Sequence, residues 1–191
     1  SIGATLALAA GLLAAPASAA GTTRYVDDDG TAGAAGCKGA VSVPTTIQAG
    51  LDATSAGDTV LVCPGTYPEL VTIATPGVTL RAVQPYKAKI APASPAGGAI
   101  VRVAAKNVTV QWLRIIAPTT GGCTTTGKGI QVDGVKKARI ISNRVVADPN
   151  GDTYQGLCGL TEGIAIDDGS SAAVVNHNIV RGFKLVGIIV H

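Results

Sequence analysis

The chain has no methionine, one phenylalanine and one tryptophan, and aromatic residues are only 3% of its 191 residues. Charged residues are 14%, with a formal net charge of +3. So small a positive excess, without a basic stripe or stacking aromatics, argues against a nucleic-acid-binding surface. Few large side chains also disfavour a helical bundle. Val, Ile, Ala, Gly and Thr dominate, which is typical of short strands joined by turns.

A membrane-spanning run is also missing. Leu6 to Ala15 is apolar, but it is too short for about 30 Å of hydrocarbon and Pro16 breaks it. Residues 1–20 are uncharged, and Ala17-Ser18-Ala19 is typical of a signal cleavage site. We expect 1–20 to be a secretory signal peptide truncated at its start. The mature domain, 21–191, is then secreted or at the cell surface, without a membrane span and as a monomer.

Cys-x-x-Cys pairs are absent as well, and the two histidines lie far from the cysteines. An even number of cysteines in an exported chain predicts disulfides and no zinc. The four cysteines are Cys37, Cys63, Cys123 and Cys158.

An internal repeat is the main positive signal. Five apolar-x-apolar strands start 30, 29, 34 and 24 residues apart. They are Val71-Thr72-Ile73, Val101-Arg102-Val103, Ile130-Gln131-Val132, Ile164-Ala165-Ile166 and Ile188-Ile189-Val190. Such short units cannot bury an apolar face alone, so they must stack as coils in parallel sheets. The pattern therefore predicts an all-β parallel β-helix, or solenoid.

Two further strands follow in the repeat unit. The second strand of successive coils starts at Val78, Val108, Ala138 and Ala172. In the third strand, Asn143 is predicted to point inward and satisfy bent backbone, and His177 aligns with it as a structural core histidine rather than a catalytic one.

Two longer segments, between Ala117 and Lys128 and between Ala147 and Glu162, leave successive coils at equivalent positions. Their tips should be neighbours, so we expect a Cys123–Cys158 bridge, which leaves Cys37 to pair with Cys63. Thr46 to Thr54 predicts a short amphipathic helix, with Thr45 or Thr46 as N-cap, that covers the first coil.

At the other end, Gly187 to His191 begins a coil without closure or cap. We expect the natural chain to continue, so that the domain is incomplete at its C-terminal end.

The first coil resembles exported bacterial proteins of the pectin-lyase-like superfamily. The resemblance rests on Thr46-Ile47-Gln48-Ala49-Gly50-Leu51-Asp52, on Gly57-Asp58-Thr59-Val60-Leu61-Val62-Cys63-Pro64-Gly65-Thr66-Tyr67 and on Val78-Thr79-Leu80. It implies a right-handed, single-stranded β-helix, often acting on acidic or neutral polysaccharides. No Gly-His-Gly or Arg-Ile-Lys element of pectin-hydrolysing relatives occurs, and no calcium-binding Asp cluster of pectate lyases can be mapped.

Candidate chemistry lies on the outward rows of the first strands. One row contains Arg102 and Gln131, and the next aligns Asp133, Asp167 and His191. Two carboxylates one strand apart repel unless a cation such as Ca²⁺, a shared proton or water lies between them. The spacing also suits a retaining glycosidase, whereas Asp133-Gly134 and Asp168-Gly169 are equally compatible with plain turns.

Arg114 stacks over Arg144 on the third side, with Arg181 and Lys184 nearby. An anionic ligand such as a uronate would offset this repulsion, although solvated surface arginines are the alternative.

Two functional hypotheses follow. In the first, the protein binds an extracellular polysaccharide, for which acidic glycans are one candidate class, either without cleaving it or cleaving it as a lyase or glycosidase. Asp133, Asp167 and His191 act as acid, base or metal ligands, with Ca²⁺ as the candidate cofactor, and Arg102, Gln131, Arg114 and Arg144 bind substrate. In the second, the coils form a non-catalytic surface or adhesive scaffold.

Overall fold

The computed structural model describes residues 21–33, 36–93, 98–118, 127–147, 161–183 and 185–191. The N-terminal part contains strand β1 (Thr23–Val26), the antiparallel hairpin of β2 (Thr31–Gly33) and β3 (Gly36–Ser42), and helix α1 (Ile47–Asp52). No helix among these residues is long and apolar enough to cross a bilayer.

Five coils of three short strands follow within the described ranges. The first three coils are β4 (Thr59–Val62), β5 (Gly65–Tyr67) and β6 (Val71–Ile73); β7 (Thr79–Ala82), β8 (Ala88–Ile90) and β9 (Ala99–Val103); and β10 (Thr109–Gln111), β11 (Arg114–Ile116) and β12 (Lys128–Val132). The last two are β13 (Arg139–Ile141), β14 (Arg144–Val146) and β15 (Glu162–Ile166), then β16 (Val174–Asn176), β17 (Ile179–Arg181) and β18 (Val186–Val190).

Equivalent strands stack into three parallel sheets. Sheet 1 has the order β1-β4-β7-β10-β13-β16, sheet 2 is β5-β8-β11-β14-β17, and sheet 3 is β6-β9-β12-β15-β18. In sheet 3, Val71, Val101, Ile130, Ile164 and Ile188 pair in succession. This register confirms the parallel β-helix predicted from the repeat.

The interior is an aliphatic ladder, as the composition requires. Val101, Ile130 and Ile164 are fully buried. Two glycines allow successive coils to approach each other at the start of their sheet 3 strands. A Cβ on Gly129 would lie 2.5 Å from the carbonyl oxygen of Gly163 and 2.5 Å from Val145 Cγ1. Gly129 and Gly163, the second residues of β12 and β15, are therefore required by the packing of the coils.

Helix α1 covers the N-terminal end of the core, as predicted. Ile47 and Leu51 are buried in the main apolar cluster. Thr46 is the N-cap, and its hydroxyl accepts a hydrogen bond from the Ala49 N–H. Glu69 adds a second cap, because its carboxylate accepts from the Ile47 and Gln48 N–H groups at 2.7 and 2.9 Å.

One of the two predicted disulfides is present within the described residues. Cys37 in β3 is bonded to Cys63 directly after β4, which ties the hairpin to the first coil. Cys123 and Cys158 lie outside the described residues, so their pairing stays a prediction.

The predicted register of the last coil was wrong by one residue. Arg139 pairs with Val174, whereas the repeat had aligned Arg139 with Ala173. The cause is one additional residue, Asp168, in the turn after β15. Asp133 and Asp167, which begin the two turns, occupy equivalent positions. Further along the turn, Lys136 pairs with Ser171, which is one residue later than the alignment of Asp133 with Asp167 would give.

This shift corrects the assignment of His177. His177 is exposed at a turn position with φ 55°, in line with Ser142 at φ 54°. The residue stacked on Asn143 is Asn178, whose Oδ1 accepts from the Asn143 N–H at 2.8 Å. Asn143 is fully buried, and its amide bonds Leu113 N and Val110 O on the preceding coil. An asparagine pair, not a histidine, satisfies the bent backbone here.

Candidate functional site

The candidate site lies where three strands of sheet 3 end. Asp133, Asp167 and His191 follow β12, β15 and β18 directly. Their backbone N–H groups continue the ladder to Val103, Val132 and Ile166 at 3.0, 2.9 and 2.9 Å. The repeat thus brings three titratable residues from distant parts of the chain into one row, as the sequence predicted.

Asp133 forms an ion pair with Arg102 of the preceding coil. Arg102 Nε donates to Asp133 Oδ2 at 2.9 Å, and a second guanidinium nitrogen bonds the same oxygen. The Arg102 side chain is 51% exposed and that of Asp133 32%. A pair this exposed is reached readily by a ligand and contributes little to stability.

Asp167 has more partners and is more deeply placed. Lys128 Nζ lies 2.7 and 2.9 Å from its two carboxylate oxygens, and Gln131 Nε2 donates to Oδ2 at 2.5 Å. Its side chain is 19% exposed. Burial alone raises the pKa of Asp167, but the hydrogen bonds from Lys128 and Gln131, with the positive charge of Lys128, outweigh it. The net pKa is below the usual aspartate value, so this carboxylate is ionised at neutral pH.

Two residues of this site, Lys128 and Glu162, were missed by the sequence reasoning. They pair in register at the starts of β12 and β15, and Lys128 Nζ lies 3.9 Å from Glu162 Oε2. His191 Nε2 is 3.8 Å from the same Glu162 oxygen. Simple alternation would point both side chains inward with Ile130 and Ile164. The structure instead leaves Lys128 and Glu162 half-buried, with their charged groups close to Asp167 and His191.

The repulsion between the two aspartates is therefore offset by the protein itself. Arg102 neutralises Asp133, and Lys128 neutralises Asp167. These two cationic side chains take the role that the sequence analysis assigned to a calcium ion or a shared proton. A hard cation would have to compete with both side chains, so the donor set does not fit Ca²⁺ well.

The predicted substrate-binding residues divide between two sheets. Arg102 and Gln131 lie in sheet 3 beside the aspartates. Arg114 and Arg144 pair with each other in sheet 2, where Lys89 extends their row by one coil. Arg144 does not stack with Arg181 but with Ile179. The two sets therefore belong to different surfaces.

A separate cavity of about 690 Å³ opens beside the N-terminal hairpin, lined in part by Asp27, Asp28 and Asp29. Burial, followed by the charges of Asp29 and Asp28, raises the pKa of Asp27. Asp27 also lies within ligand distance of Cys37 and Cys63. Because these two sulfurs form a disulfide, they offer no thiolate to a metal.

Three solved structures with a similar fold are pectin methylesterases. One in complex with hexasaccharide VII has a TM-score of 0.52 at 17% identity, over 75% of this chain and 48% of that chain. A mutant in complex with hexasaccharide IV has a TM-score of 0.52 at 18% identity, over 78% and 48%. The enzyme from Erwinia chrysanthemi has 0.49 at 18% identity, over 80% and 49%.

The first two likenesses show a shared fold and nothing finer. The chain spans about half the length of these neighbours. No protein-family model and no curated protein sequence matches it.

Proposed function

We propose that the chain is a secreted carbohydrate-active protein that binds an extracellular polysaccharide on the outer face of sheet 3 and hydrolyses an ester group on it. The observation that carries this proposal is the state of Asp167, an ionised and solvent-accessible carboxylate held by Lys128 and Gln131. The fold shared with pectin methylesterases, two of them in complex with hexasaccharides, supports the choice of substrate.

Ester hydrolysis suits a carboxylate of low pKa. Asp167 attacks the ester carbonyl as a nucleophile, and water then hydrolyses the acyl intermediate. The Gln131 amide and the Lys128 ammonium group, which already converge on Asp167, can donate to the oxyanion. His191 lies on the same row; in its protonated form it can donate a proton to the leaving alcohol and then regain one from the water that hydrolyses the acyl intermediate. Arg102 is exposed enough to contact a neighbouring uronate carboxylate.

The lyase and glycosidase hypotheses fit this geometry less well. Glycoside hydrolysis needs one carboxylic acid with a raised pKa to protonate the leaving oxygen, and the pKa of Asp167 is lowered. Elimination needs a base strong enough to take a proton from carbon, and a lowered pKa makes Asp167 a weak base.

The test is to incubate the mature chain with methyl-esterified polygalacturonate and to measure methanol, reducing ends and unsaturated products together. We expect methanol release alone. Asp167→Asn should reduce it by at least about 100-fold. Asp168→Asn is the matched control, because Asp168 lies in the same turn and makes no side-chain bond to Lys128 or Gln131 within the described residues. Equal rates in the two variants, or reducing ends without methanol, would contradict the proposal.

One observation favours the scaffold as a second candidate. Each aspartate is already paired with a cation of the same sheet, so the network is satisfied without a ligand. If this second function holds, no product forms from any ester or glycan, and Asp167→Asn changes only thermal stability.

A further inference from the structure

The turns that lead from sheet 3 to sheet 1 carry positive charge on two successive coils. Lys106 lies in the turn after β9, and Lys136 and Lys137 lie in the turn after β12. Arg139 begins β13, the strand into which the second turn leads. These four residues, here called the cationic corner, are all exposed. The cationic corner therefore lies at the edge where sheet 3 passes into sheet 1.

Backbone pairing between coils places these cations close together. The Asn107 N–H donates a hydrogen bond to the Lys136 carbonyl at 2.9 Å. One coil earlier, the Gly77 N–H donates to the Lys106 carbonyl at 3.0 Å. Lys106 and Lys136 thus occupy equivalent positions on adjacent coils, which are about 4.8 Å apart. Like charges at that spacing repel, so an anion that reaches both ammonium groups is attracted there.

No ion pair between described residues involves a member of the cationic corner. Asp133, the acidic residue nearest to it in the sequence, is paired with Arg102. Asp168 lies one coil further on, where its backbone oxygen faces Gly134. Within the described part of the chain, the charges of the cationic corner are therefore available to a ligand.

The positions next to the cationic corner on the stack are uncharged. Lys136 is bridged to Ser171 of the following coil. Arg139 lies between Thr109 and Val174 in sheet 1. The cationic corner is therefore a bounded patch that spans two coils, and it matches a ligand with two or three anionic groups in succession.

The cationic corner adjoins the candidate site. Lys136 and Lys137 follow Asp133 by three and four residues in the same turn, and Asp133 and Asp167 lie in one row. A polysaccharide that presents an ester group to Asp167 can therefore place neighbouring sugar units at the cationic corner. Lysine is a point charge on a flexible side chain, so it can follow carboxylates that are not held in one fixed orientation.

We propose that the cationic corner binds the free carboxylates of a partly esterified, acidic polysaccharide, beside the sugar unit whose ester is hydrolysed. The proposal rests on the proposed function for its substrate class, but the binding itself does not require hydrolysis. A glycan is favoured over a nucleic acid because the net charge is only +3 and aromatic residues are 3% of the chain.

The experiment measures the affinity of the mature chain for polygalacturonate, for fully methyl-esterified polygalacturonate and for duplex DNA, by calorimetry at low salt. Every protein in it also carries Asp167→Asn, so that no ester is hydrolysed during the measurement. We expect binding to polygalacturonate that weakens as salt is added, and at least about tenfold weaker binding to the esterified polymer, which has no free carboxylates.

Lys136→Gln combined with Lys137→Gln should weaken the binding of polygalacturonate by about tenfold, because it removes two charges of the patch. Ser171→Lys should tighten the binding by about threefold, because it extends the row of Lys106 and Lys136 by one coil. All of these positions are exposed, so we expect the thermal stability of the variants to change little.

Lys38→Gln combined with Lys87→Gln is the matched control. It removes the same two charges from exposed positions elsewhere, since Lys38 lies in β3 and Lys87 lies in the turn before β8. An equal loss in this control, unchanged binding in the variant at Lys136 and Lys137, equal affinity for the esterified polymer, or equally tight binding of DNA would overturn the proposal.

Methanol release by proteins with Asp167 intact separates this inference from the proposed function. If methanol is released but the variant at Lys136 and Lys137 binds polygalacturonate normally, only the assignment of the cationic corner is wrong. If no methanol is released but binding still depends on these two lysines, ester hydrolysis is wrong and the binding site stands.

Discussion

At the scale of single residues, Lys128 determines the charge state of Asp167. Its Nζ contacts both carboxylate oxygens, and its hydrogen bonds and charge hold the pKa of Asp167 below the usual value against the opposing effect of burial. A carboxylate with a lowered pKa stays ionised until the pH falls through that lowered value. Any activity that needs ionised Asp167 is therefore lost only as the pH falls below the range in which an ordinary aspartate titrates.

Lys128→Met should raise the pKa of Asp167, because it removes the main stabiliser of the ionised form and leaves burial opposed only by the Gln131 hydrogen bond and the charge of His191. The carboxyl ¹³C shift of Asp167, followed by NMR across a pH titration, measures the change directly. The acid limb of ester hydrolysis should move to higher pH by the same amount. Arg102→Met is the control, since Arg102 pairs with Asp133; if both variants shift the titration of Asp167 equally, the assignment of Lys128 is wrong.

Sequence reasoning found Asp133, Asp167 and His191 because they follow the apolar-x-apolar strands at constant positions. It missed Lys128 and Glu162 because alternation from the strand centre assigns them to the interior. Gly129 and Gly163 lie directly after them at a close approach of successive coils, where a Cβ would clash with the next coil. Such an approach depends on contacts between coils, which a pattern within one coil does not contain.

At the scale of elements, the stacked strands of sheet 3 were predictable and the turns between them were not. The aliphatic positions recur at starts that the sequence shows directly, and the observed register agrees from β6 to β18. The turn after β15 contains one more residue than its counterpart after β12, and Asp168 is accommodated without disturbing either strand. A one-residue change in a turn leaves no periodic signal, so His177 was aligned in place of Asn178.

The corrected register gives a direct comparison of two neighbouring residues. Asn178→Ala should destabilise the protein by about 1–3 kcal/mol, because it leaves the Asn143 N–H and the Ile140 carbonyl without their partners. His177→Asn should change the stability by less than about 0.5 kcal/mol, since the side chain is exposed and asparagine tolerates its positive φ. Urea unfolding of both variants measures the difference. A larger loss of stability for His177→Asn than for Asn178→Ala would contradict the observed register and favour the alignment of His177 with Asn143.

At the scale of the whole molecule, stacking of the coils brings residues that are far apart in the sequence close together in space. The pairing of β9, β12 and β15 brings Arg102, Asp133 and Asp167 together, although about thirty residues separate each from the next. The same stacking aligns Lys89, Arg114 and Arg144 on sheet 2, so one repeat produces charged rows on two faces. The repeat predicted both rows, but the ion pairs within them depend on side-chain geometry that the sequence pattern does not fix.

A cysteine cross-link tests this stacking at the site itself. Asp133→Cys with Asp167→Cys places two thiols on adjacent coils at equivalent positions, about 4.8 Å apart at the backbone and within reach of a disulfide. Ala104→Cys with Asp167→Cys is the matched control, because Ala104 is the equivalent residue one coil further away and its separation of about 9.6 Å exceeds that reach. Peptide mass spectrometry after mild oxidation should find the first cross-link and not the second. A cross-link in the control alone, or in neither variant of a folded protein, would contradict the stacked arrangement on which the candidate site depends.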